Sequence, residues 1–158
     1  MHKVDRISQI EAKMRTGVLA SYQFLGTDER SLAEILTADQ FSVDSLGLTH
    51  QDLAKWLTAC LRLAEANLGT PFAVENRFLI QIDEHKGTIA CPFGDNYHAP
   101  KRNVTVTNLK HNLTLCFSEL NIHLIEEHGF YEGEGSPYRI NPHTVVQMFG
   151  GGQLWVIS

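Results

Sequence analysis

Through residues 1–70 apolar side chains recur every three or four positions, and beyond them the period shortens towards two. The first pattern predicts helices, because positions three and four apart share one helical face. Val4, Ile7, Ile10, Met14 and Val18 form such a face. After a turn at Gly26, Thr27 or Asp28 is placed to cap a second helix, with Glu29 in its first turn and Leu32, Ile35 and Leu36 as its stripe. That segment continues through Phe41, Val43 and Leu46 to a stop at Gly47. Thr49 and Asp52 then approximate a capping box, and Leu53, Leu57, Cys60, Leu61, Ala64 and Leu68 give a long stripe ending at Gly69. Cys60 lies inside that stripe and reads as a small buried hydrophobe.

After Pro71 runs of β-branched and aromatic residues predict strands. Phe78–Ile82 and Thr88–Cys91 bracket Asp83–Gly87, which reads as a hairpin turn, and Val104–Val106 and Leu113–Phe117 form a second hairpin. Ser118 is placed to cap a helix from Glu119 to His128, with Gly129 supplying a left-handed close. Pro142 opens a short helix through Met148, followed by a Gly-rich bend and a strand Leu154–Ile157. The expectation is an α+β fold: N-terminal helices followed by a small antiparallel sheet with one or two further helices. We expect one domain over 1–158, with a helical half at 1–70 and a sheet-rich half at 71–158.

Composition narrows the function classes. At 158 residues, 43% hydrophobic and 20% charged, the chain is long enough to bury a core without disulfides or metal. The net charge of −5 is spread evenly, seven bases against nine acids in 1–70 and six against nine in 71–158, so no nucleic-acid partner is expected. No apolar run approaches the ~20 residues of a membrane span, and the mixed start lacks the apolar core of an export signal. A cytoplasmic location is the expectation. Cys60, Cys91 and Cys116 are odd in number and widely spaced, which argues against a disulfide framework.

The residues with the most chemistry are Cys91 and His98 around a short loop, and His123 and His128 on the helix that follows the second hairpin. Zinc takes thiolate and imidazole ligands at tetrahedral angles, often one pair from a turn and one from a helix at H-x₃₋₅-H spacing, so these four residues are the candidate zinc ligands. Residues five apart on an ideal helix point about 140° from each other, so a shared ion requires the last turn to unwind. Phe117-x-x-Leu120-x-x-His123-x₄-His128 resembles the helical half of a two-cysteine, two-histidine zinc finger. The paired cysteines of that family are missing, because Cys91 stands alone and Cys116 falls in a strand, and the family is not assigned. The alternative is that Cys91 packs at a strand end and His128 interacts with the helix dipole.

A second candidate is the loop from Gly129 to Arg139, where Tyr138 and Arg139 could line a small-molecule pocket. Three further classes stay open. Cys91 with a histidine base could make a hydrolase. Leu46–Leu57 resembles the turn and second helix of a DNA-binding helix-turn-helix, although His50, Gln51, Asp52 and Lys55 are poorly basic for that role. The helical half could instead present an apolar seam to a partner protein or to a second copy, making a non-catalytic interaction or regulatory domain.

Overall fold

The computed structural model describes residues 3–17, 20, 22–68 and 70–150. Val18, Gly69 and the expected strand Leu154–Ile157 lie outside them, as does the side chain of Val4. Among the described residues five helices and one four-stranded antiparallel sheet make an α+β fold, with helices before and after the sheet. None of those helices is long and apolar enough to cross a membrane.

Helix α1 spans Lys3–Arg15 and buries Ile10 and Met14. Helix α2, Leu32–Ser45, starts later than Thr27 or Asp28 would place it. Its cap is Ser31, in a full capping box with Glu34. Asp28 is engaged elsewhere: its carboxylate accepts from Arg30 and from the Glu134 amide, so residues 24–28 form a turn that docks a distant loop. Helix α3, His50–Glu65, begins with the expected reciprocal bonds between Thr49 and Asp52 and buries Leu53, Leu57, Cys60, Leu61 and Ala64. It ends before Leu68, which is exposed.

The sheet order is β1 (Phe72–Val74), β2 (Phe78–Ala90), β3 (His98–Asn108), β4 (Leu113–Ser118). Asp83–Gly87 is not a turn. Strand β2 continues through it, paired Asp83↔Asn103, Glu84↔Arg102 and His85↔Lys101, with an irregularity only between His85 and Thr88. Polar residues can occupy this stretch because it is an arm exposed on both faces, where no core selects the side chains. Strand β4 pairs only with 103–108 of β3, leaving Pro100 on a stretch that needs no second ladder. The actual connection between β2 and β3 is residues 91–97.

Helix α4 covers Glu119–His128, capped by Ser118 and closed by Gly129 at φ +61°, and α5 covers Pro142–Phe149. Helix α4 sits between two apolar clusters. Ile122 and Ile125 join α3, α5 and the inner face of the sheet. Leu120 and Leu124 join α1, α2, Cys91, Phe93 and Phe130. The second cluster therefore holds the β2–β3 connection against α4, and this contact assembles the candidate site.

Candidate metal centre

The connection at the tip of the arm is a tight turn in which the Cys91 amide donates to the Tyr97 carbonyl at 2.8 Å and the Gly94 amide to the Cys91 carbonyl at 3.3 Å. Gly94 at φ +75° and Asn96 at φ +63° are in the left-handed region, which glycine and asparagine tolerate best. The turn presents Asp95 to the histidines of α4. Its Oδ1 accepts from the Tyr97 amide at 3.1 Å, an Asx turn that fixes the carboxylate, and its Oδ2 meets His123 Nε2 at 2.7 Å and His128 Nε2 at 2.8 Å. Cys91 Sγ lies 3.6 Å from His128 Nε2. Ligand atoms of Cys91, Asp95, His123 and His128 all fall within 4.8 Å of one another.

Helix α4 does not unwind to bring its two histidines together. Aromatic residues of the turn aim the rings instead: Tyr97 stacks on His123 at 3.8 Å between centroids, and Phe93 stacks on His128 at 4.1 Å. The two imidazoles meet edge to face, with centroids 5.4 Å apart. A single seven-residue turn therefore supplies both a carboxylate and the two surfaces that orient its partners.

The electrostatics are those of a compact acceptor group. Burial works against the Asp95 carboxylate, but hydrogen bonds from His128, the Tyr97 amide, His123 and the Cys91 thiol outweigh it and hold its pKa below the usual carboxylate range. An ionised carboxylate only accepts, so each imidazole carries its proton on Nε2 in this arrangement. Burial pushes the Cys91 thiol up to about 12, and the adjacent Asp95 adds to the rise. Without a cation the thiol stays protonated at neutral pH, which opposes a nucleophilic role for Cys91.

Of the four expected ligands, Cys91, His123 and His128 converge and His98 does not. His98 opens β3 on the exposed face, its Nδ1 3.2 Å from the Asn96 carbonyl, while Ala99 turns into the core. The two-residue period of a strand forbids both from facing inward. Asp95 takes the fourth place. Its sequence signal, an acid four residues after Cys91 in Gly-Asp-Asn, is indistinguishable from ordinary turn chemistry.

Tyr138 and Arg139 part company. Arg139 grips Asp39 in a two-pronged pair, Nη1–Oδ2 at 2.6 Å and the other Nη–Oδ1 at 3.0 Å, and also donates to the Glu132 carbonyl. It is mostly buried and committed to the fold. Tyr138 lines a cavity under the arm, and its hydroxyl accepts from Asn103 Nδ2 at 3.0 Å. The chain matches no protein-family model, no curated protein and no solved structure.

Proposed function

We propose that Cys91, Asp95, His123 and His128 bind one divalent transition-metal ion, zinc first among them, in a site that staples the tip of the β2–β3 arm to α4. The observation that carries this reading is the convergence of one thiol, one carboxylate and two imidazoles within 4.8 Å. Around zinc, with bonds of ~2.0–2.3 Å, tetrahedral donors lie roughly 3.3–3.8 Å apart. The Cys91–His128 contact of 3.6 Å is already in that range, and the two contacts to Asp95 need to open by no more than about 1 Å. Mixed sulfur, nitrogen and oxygen donors suit zinc better than calcium or magnesium, which take oxygen. Four protein ligands close the coordination shell, the arrangement of a structural site.

Loading requires three proton movements: the Cys91 thiol proton leaves to solvent, and each of the two imidazoles shifts its proton from Nε2 to Nδ1, freeing the lone pair that faces Asp95. The test is elemental analysis of the full chain purified without an affinity metal, then reloaded with one equivalent of zinc or cobalt. Stoichiometric retention through gel filtration is expected, with a thiolate-to-cobalt charge-transfer band that Cys91→Ser removes and His123→Ala weakens. Retention unaffected by both substitutions, or no retention, overturns the reading.

A further inference from the structure

Under the arm, away from the metal ligands, lies a cavity of about 410 Å³ whose walls come from three distant segments: Tyr22, the arm residues Lys86, Ile89, Pro100 and Lys101, and Tyr138. Its size is that of a small-molecule site, roughly 300–1,000 Å³. The aromatic wall is rigid. Tyr22 and Tyr138 pack with centroids 5.0 Å apart at 54°, and each hydroxyl is tied, Tyr22 donating to the buried Glu132 at 3.1 Å and Tyr138 accepting from Asn103.

The opposite wall is basic, in a chain whose net charge is −5. The register places His85 directly across from Lys101, whereas one step earlier Glu84 faces Arg102. Lys86 follows in the irregularity before Thr88, where a bulge re-aims side chains. Neither Lys86 nor Lys101 forms an ion pair among the described residues. Lys86 and Lys101 thus bring two positive charges without an ion-pair partner to one cavity, and an anion there would be drawn to both.

We infer that this cavity binds a small aromatic carboxylate, its ring against Tyr22 and Tyr138 and its carboxylate against the ammonium groups of Lys86 and Lys101. The aromatic wall selects a flat ring, because offset and edge-to-face contacts add to apolar burial. The two lysines select the charge. Both lysines are exposed and can be replaced without touching the core. The cavity shares no residue with the metal ligands, so the inference holds whichever way the metal is decided.

The experiment is a two-dimensional amide NMR titration of the uniformly ¹⁵N-labelled full chain with 4-hydroxybenzoate, run once in chelator and once with zinc. Saturable shifts centred on Ile89, Lys101, Asn103 and Tyr138 are expected in both. The double variant Lys86→Ala, Lys101→Ala, with a spectrum that keeps its dispersion, should bind at least about tenfold more weakly. Cyclohexanecarboxylate, which keeps the charge and lacks the ring, and benzamide, which keeps the ring and lacks the charge, should each lose about the same factor. No saturable shifts, equal affinity in the double variant, or equal binding of either control compound overturns the proposal.

Discussion

Two polar clusters lean on helix α4, and they are built on opposite principles. Around Glu132 every partner is a donor: Tyr22 and Asn121 give hydrogen bonds to Oε2 and Ser136 gives one to Oε1 at 2.7 Å. Beside it Arg139 answers Asp39 with both of its Nη groups. Both carboxylates of this network are met by protein donors, while Arg139 Nε stays buried without a hydrogen bond, and Glu132 is fully buried at φ +67°, a backbone region that costs a non-glycine residue about 1–3 kcal/mol. Around Asp95 the donors are the Tyr97 amide and three titratable side chains, His123, His128 and Cys91, whose protons a metal ion could displace. Burial separates the two clusters, Glu132 being fully buried and Asp95 exposed. So does the kind of donor, since those around Asp95 include two imidazoles and a thiol that can lose their protons.

The two clusters should also answer pH with opposite sign. Burial raises the Glu132 carboxyl from 4.5 to about 7, against the hydrogen bonds that favour its ionised form. The folded state then binds the proton more tightly than the unfolded chain, so this contribution is fully present below pH 4.5 and is lost as pH rises through about 7. A metal bound as proposed would run the other way, since protons compete for its ligand lone pairs and acid would weaken it.

The largest expected effect that separates the clusters is Arg139→Ala. It leaves Asp39 buried without its counter-ion and should cost about 3–5 kcal/mol in denaturant unfolding, while a variant that still folds keeps its full metal content. Loss of metal from that folded variant would mean that the clusters are one unit.

Next is the pH profile in chelator. Unfolding free energy should fall by up to about 3 kcal/mol between pH 4.5 and 7 from Glu132, and Glu132→Gln should flatten that fall. The difference between the two proteins isolates Glu132 from His50, whose burial lowers its pKa and tilts the profile oppositely. Identical profiles would remove Glu132 from the account.

Metal removal comes third. With free zinc at about a hundred times its dissociation constant, the loaded protein should be more stable by about 2.7 kcal/mol, a gain that shrinks on acidification and is absent in Cys91→Ser. A melting temperature indifferent to zinc would contradict the staple. The smallest effect is His98→Ala, expected within about 0.5 kcal/mol of the parent and without change in metal content, because His98 stands outside the group. A lost equivalent of metal would return His98 to the site in place of Asp95.

The sequence was informative where the physics is local. Thr49 with Asp52, and Ser118 followed by Gly129 ten residues after Glu119, announce their helices because a cap is settled within one turn of chain. The stripe through Leu57 and Cys60 is legible for the same reason, its period being a property of the helix itself. Three of the four converging residues were readable as types with ligand chemistry. The long β2 strand was not, since Asp83–Gly87 has turn composition and is held extended only by its cross-strand partners. Asp95 was hidden as a turn former, and its role exists only because Phe93 and Tyr97 dock on helix residues 26 to 35 positions away. By itself, then, the chain determined its helices, the caps of α3 and α4 and the class of its fold, set by neighbours within a few residues, whereas the cap of α2 at Ser31 was misplaced because Asp28 is engaged by a distant loop. Which side chains face a common point was decided by the tertiary structure, because convergence depends on how two apolar clusters pack an arm against a helix, and no spacing along the chain encodes that angle.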